Sequence, residues 1–246
     1  MKIYASLMIF VLLLVSLSAN NLHTVTNPTA GILSKGEARI HQLTFKNNGM
    51  MIGANVGLFE NFQFGVSYGA ENIIGDKEPT WHDQPRFNLR FRVINETLQI
   101  PAIAIGMDTQ GYGAYHKDHK RYDIKSKGAY IVSSKNFSFL GMVGFDLGVN
   151  YTFEKDDDKT ALDLFSGMYK SIGPSFLIFL DYSLGLNDDC RNNEITGRGR
   201  GYLSAGVQFR ISDNLTLKLL MHDLFENRRS TELFDRSIQI DYRWFF

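Results

Sequence analysis

The feature that most constrains this chain is a two-residue alternation, cleanest at its C-terminal end. Residues 237–246 read Ser-Ile-Gln-Ile-Asp-Tyr-Arg-Trp-Phe-Phe. Successive side chains of an extended strand point to opposite faces. Ile238, Ile240, Tyr242, Trp244 and Phe246 therefore share one face, and Gln239, Asp241 and Arg243 the other. The apolar face needs either a second protein layer or a hydrocarbon solvent. A strand that is greasy outside, charged inside and closed by aromatics suits a bilayer-spanning barrel with an aromatic girdle. Taken alone, it suits the last strand of a soluble sandwich equally well.

The rest of the chain repeats the pattern. Residues 50–58 set Met50, Ile52, Ala54, Val56 and Leu58 against Met51, Gly53, Asn55 and Gly57. Residues 62–69, 87–93, 139–153, 175–184, 202–211 and 215–221 alternate in the same way. Weaker candidates at 38–45, 98–107, 128–134 and 161–169 complete twelve strands with the closing one. The 98–107 stretch is apolar on both faces and carries Pro101, which cannot donate to a ladder. An even strand number is what single-chain bacterial barrels use.

Connection lengths alternate too. Tight turns are expected at 60–61, 95–97, 135–136, 172–174 and 212–214 on one side, and at 46–49, the one short connection on the other side, which uses Asn-Gly for positive φ. Longer polar stretches run over 70–84, 108–123, 154–159, 187–199 and 226–231. Short periplasmic turns with longer outer loops are the asymmetry of an outer-membrane barrel, and a sandwich has no need of it. At the N-terminus, Lys2, the apolar run 3–15 and Ser16, Leu17, Ser18 and Ala19 read as a secretory signal peptide over 1–19. The apolar run is too short for a spanning helix, and no cysteine follows it to carry a lipid. The expected organisation is a signal peptide (1–19), a periplasmic or plug segment (20–37) and an all-β, closed antiparallel barrel of about twelve strands (38–246) in the bacterial outer membrane.

Charge is balanced, with 26 basic and 26 acidic residues, so nucleic acid is not an expected partner. A mean hydropathy of −0.16 looks soluble, but in a barrel half of every strand faces a polar lumen. Cys190 is the only cysteine, which excludes an intramolecular disulfide. Of the six histidines, none has serine two residues on, the pairing that would suit a barrel lipid hydrolase. His116, Asp118 and His119, with Asp123 nearby, offer a loop metal or acid–base site, against the plainer reading of a solvated outer loop. Trp81-His82-Asp83 reads the same way. Asp156, Asp157 and Asp158 lack the spacing of a calcium loop and suit a hydrated turn or divalent ions bridging lipopolysaccharide. No catalytic, metal-binding or cofactor-binding residue is assigned, and outer-membrane lipid is the expected surrounding partner.

The candidate functional residues face the lumen. Arg90, Arg92, Arg210, Lys218 and Arg243 share the inward face with Asp146, Asp181 and Asp241. They either pair into a network that closes the bore or line a path for polar or anionic solutes. A terminal phenylalanine preceded by alternating aromatics resembles the assembly signal of bacterial outer-membrane barrels, which implies the barrel-assembly machinery as a partner of the last strand.

Three further segments resemble the YjbH-type outer-membrane barrels associated with exopolysaccharide export. One is Asn27-Pro28-Thr29-Ala30-Gly31 through Lys35-Gly36-Glu37; another is Pro101-Ala102-Ile103-Ala104-Ile105-Gly106 with Asp108, Gly111 and Gly113; the third is Ser126-Lys127 through Ser133-Ser134-Lys135. The resemblance implies an outer-membrane location and a role in surface polysaccharide secretion, with export components as partners. It offers no catalytic residues. The expected function is a non-enzymatic conduit or structural component. The rivals are a lipid-modifying barrel enzyme using His116 and His119, and a scaffold displaying loops 70–84 and 108–123.

Overall fold

The computed structural model describes residues 21–154, 162–189, 195–229 and 233–246. The expected signal peptide, Cys190 and the Asp156–Asp158 run lie outside the described residues. Fifteen strands are found among those described: β1 (Glu37–Phe45), β2 (Gly49–Phe59), β3 (Phe62–Glu71), β4 (Thr80–Trp81), β5 (Arg86–Ile94), β6 (Ala102–Asp108), β7 (Tyr112–His116), β8 (Arg121–Ile124), β9 (Gly128–Ser138), β10 (Met142–Tyr151), β11 (Asp163–Ile172), β12 (Phe176–Ser183), β13 (Tyr202–Arg210), β14 (Leu215–His222) and β15 (Asp235–Phe245). Twelve of them close a barrel in which each strand pairs antiparallel with its neighbours in sequence, and β1 pairs with β15 to seal the ring. β4 only flanks β3, while β7 and β8 form a separate hairpin.

The alternation decides which face meets hydrocarbon. Outward Ile52, Leu147, Ile178 and Ile240 are 54%, 65%, 41% and 43% exposed, while inward Asp146, Asp181 and Asp241 are buried. A soluble protein does not leave so many large apolar side chains bare around its whole girth. Aromatics gather at both rims. Phe176 packs on Phe209 and Tyr242 on Trp244 at the short-turn end, and Tyr68 stacks on Trp81 at the long-loop end. This is the girdle of a transmembrane barrel. Inside, glycines make room for neighbouring rings: a Cβ at Gly144 would lie 2.1 Å from the Tyr169 ring, and one at Gly148 would lie 2.2 Å from Phe165.

Four sequence expectations change. The turn expected at 135–136 falls at Phe139–Gly141, where Leu140 and Gly141 take positive φ, and β9 runs on to Ser138. β9 outruns β6 there, and the Glu96 carboxylate takes the Asn136 amide at 2.7 Å in place of a ladder partner. The 139–153 strand accordingly shortens to β10. The strand expected from Leu98 begins at Ala102, directly after Pro101, because proline has no N–H to give. In the 46–49 turn the positive φ values fall on Asn47 and Asn48, and Gly49 already belongs to β2. Finally, the 108–123 stretch is not a solvated loop: it holds β7 and β8, and Arg121, Tyr122 and Asp123 are almost wholly buried.

A charge placed on the lipid face at mid-strand should expose the solvent that this face meets. Leu147→Arg is expected to cost about 2–4 kcal/mol, read as a lower guanidinium midpoint in lipid vesicles. An unchanged midpoint would mean that Leu147 does not face hydrocarbon.

Candidate functional site: a lumen occupied from both ends

The N-terminal segment enters from the short-turn end and folds into the barrel as a small hairpin. Thr24 N–H donates to Asn27 O at 3.0 Å and Thr29 N–H to Leu22 O at 3.1 Å. The tip seats on Asp181 of β12. One carboxylate oxygen accepts from the backbone N–H of Val25 (2.9 Å), Thr26 (2.7 Å) and Asn27 (3.0 Å) and from the Thr24 hydroxyl (2.9 Å). Consecutive N–H groups converging on one oxygen satisfy a carboxylate that the wall alone would leave unpaired. On the other wall, Arg90 of β5 donates to the carbonyls of Leu22 (2.8 Å) and Gly31 (2.7 Å) and to the Tyr130 hydroxyl (2.8 Å). Arg92 donates to Ala30 O at 3.0 Å. Ala30 N–H donates to Ser134 Oγ at 2.7 Å, and Ser134 in turn donates to Asp146. Leu33 N–H reaches Gln63 at 3.0 Å.

From the long-loop end comes the β7–β8 hairpin. Arg121 makes a bidentate pair with Asp188, at 2.6 and 2.9 Å, and Tyr202 donates to the same carboxylate. Asp123 sits among Lys46 (2.7 Å), His116 (2.9 Å), Arg228 (3.2 Å) and the Ala114 amide (3.0 Å). Burial pushes its carboxyl up, but the His116 hydrogen bond and the charges of Lys46 and Arg228 outweigh this and hold it well below the usual range. Glu154 accepts the Tyr122 and Ser126 amides, both at 2.9 Å, and burial pushes its carboxyl up. The two inward bodies meet where the Tyr112 hydroxyl donates to Val25 O at 3.2 Å. The spaces left between them and the wall are small. One of about 40 Å3 is lined by Asn21, Arg92, Glu96 and Asp146, and two of about 10 Å3 lie beside the hairpin.

The eight residues singled out by alternation are not one cluster. Arg90, Arg92, Asp146 and Asp181 meet the N-terminal segment directly or through Ser134. Lys218 and Asp241 lie 3.8 Å apart in a wall network completed by Arg39, whose Nε donates to Asp241 at 2.9 Å. Arg243 lies 3.6 Å from Glu37 near the mouth. Arg210 stands apart at the short-turn end. Sequence reading missed Arg39, Arg121, Asp188 and Arg228. Arg39 lay on the inward face of a weakly alternating strand, a signal that was available. Arg121, Asp188 and Arg228 lie in connections where no periodicity operates.

No family model matches the chain, and no curated protein matches it. Among solved structures the fold is similar to a KdgM porin, at 6% identity with a TM-score of 0.50, covering 84% of this chain and 98% of that one. A NanC porin is similar at 11% identity and TM-score 0.50, covering 85% and 99% respectively. The fold is thus that of outer-membrane porins, and with the apolar belt and the aromatic rims it places the protein in the bacterial outer membrane.

Two measurements probe the inward bodies. Asp181→Ala removes the acceptor of three backbone amides, so hydrogen exchange at Val25, Thr26 and Asn27 should speed by about tenfold or more, with strand amides unaffected. Because the folded-state pKa of Asp123 is depressed, its stabilising contribution is present above the unfolded carboxylate range near pH 4 and is lost as pH falls below it. The gap in urea midpoint between wild type and Asp123→Asn should therefore shrink between about pH 5 and pH 2.

Proposed function

We propose that the protein is a non-enzymatic outer-membrane conduit for small polar solutes, with residues 21–33 as a plug and the β7–β8 hairpin as a second stopper. The observation that carries this reading is that both bodies are tied down by a dense set of hydrogen bonds and ion pairs, alongside the two apolar clusters that Val25 and Ala30 join. Polar contacts of this kind exchange readily for contacts with water and solute, so the bore can open without disturbing the lipid-facing ladder. Opposite charges alternate along the contacts, which favours polar solutes in general over one sign of ion.

Other readings have narrower support. The three segments that resemble the YjbH-type barrels adjoin in space: residues 102–108 pair with 128–134, and Ala30 bonds to Ser134. That adjacency is what favours a part in surface-polysaccharide export. The lipid-enzyme reading needed His116 and its carboxylate free in an outer loop, but Asp123 is buried and committed to four partners. The display reading loses the 108–123 loop for the same reason.

Planar-bilayer recording checks the conduit. Wild type is expected to show rare, brief openings, and deletion of residues 21–33 to raise the open conductance several-fold. A deletion variant that inserts, stays heat-modifiable and conducts no more than wild type would leave only a structural role.

A further inference from the structure

The short-turn mouth holds a second, larger cavity that the plug does not use. Its volume is about 470 Å3, within the roughly 300–1,000 Å3 of small-molecule pockets. Met142, Tyr169 and Leu177 line it with inward side chains of β10, β11 and β12. Tyr169 and Leu177 belong to the apolar cluster that continues up the lumen through Phe179 and Val25. The cavity is therefore an apolar recess at the mouth of the bore.

Two further observations concern its rim. Leu140 is 88% exposed and held at φ +45°, a left-handed conformation that an L-residue of this size rarely adopts. Strain of this kind, set beside an open recess, points to a functional placement. On the other side stands Arg210 of β13, half-buried, and its guanidinium has no hydrogen bond or ion pair among the described residues. A partly desolvated guanidinium over an apolar floor lacks the anion that would satisfy it.

We propose that this cavity binds a single-chain amphiphile with an anionic head, a fatty-acid-like carboxylate. The chain lies over Tyr169 and Leu177, Leu140 covers it at the rim, and the carboxylate pairs with Arg210. A sugar would leave the apolar floor of Met142, Tyr169 and Leu177 uncovered. A neutral amphiphile would leave Arg210 as it stands. The site lies at the short-turn mouth, and it does not depend on whether the bore conducts.

The test uses the processed full-length protein in lipid nanodiscs, titrated with decanoate by calorimetry against empty nanodiscs, with 1-decanol as the neutral probe. Saturable one-to-one decanoate binding is expected. Arg210→Gln should weaken decanoate about tenfold or more and leave decanol unchanged. Leu177→Trp, which fills the floor, should weaken both. Heat-modifiability on gels verifies that each variant is folded. Non-saturable decanoate uptake, or equal loss of decanoate and decanol in Arg210→Gln, overturns the proposal.

Discussion

Everything in this structure follows from the absence of water outside it. In hydrocarbon an unpaired backbone N–H or C=O costs several kcal/mol, so a sheet there cannot keep an edge. The pairing of β1 with β15, from Glu37 opposite Phe245 to Thr44 opposite Ile238, removes the last two edges. With the ring closed, the pleat sends one side chain in two to lipid and the next to the lumen. The apolar residues that would form a core in a soluble protein lie on the outside. The charges that would lie outside are confined to the middle.

Confinement creates the second problem. Twelve strands enclose a bore wider than wall side chains alone can fill, and a buried charge without a partner costs more than most single contacts give back. The chain meets both demands with the same segments. The hairpin at 24–27 supplies N–H donors to Asp181, and its carbonyls accept from Arg90 and Arg92. The β7–β8 hairpin brings Arg121 to Asp188 and places Asp123 between Lys46 and Arg228. Each inward body is thus both filler and counter-ion, and removing one leaves wall charges exposed to whatever enters. This makes a plugged barrel a natural gate: water and solute can take over the polar contacts, while the lipid face is untouched.

The short-turn mouth follows the opposite rule. There the inward face turns apolar at Tyr169 and Leu177, and the bore stays open beneath the plug. A barrel whose middle is occupied and holds the buried charges, and whose mouth is greasy and open, offers two distinct environments along one axis. Polar solutes and amphiphiles would therefore meet different parts of the same wall.

The sequence by itself determined the barrel: the facing of the strands, their even number, the short and long ends, and the inward place of Asp146, Asp181, Arg90 and Lys218. These are legible because period-two alternation is a local property that any extended strand expresses whatever it packs against. Where alternation weakened, at Pro101 and around Asn136, the boundaries moved by a few residues, since the ends of neighbouring strands set them. Tertiary structure alone decided what fills the lumen. The 108–123 stretch reads as an outer loop, being polar and without periodicity, yet it turns inward, where Arg121 pairs with Asp188 and Asp123 with Lys46 and Arg228, all from other connections. Likewise, nothing local joins Asp181 to residues more than 150 positions earlier. Pairings of that kind depend on ring closure, which brings distant inward charges within hydrogen-bonding reach in a space that water has largely left.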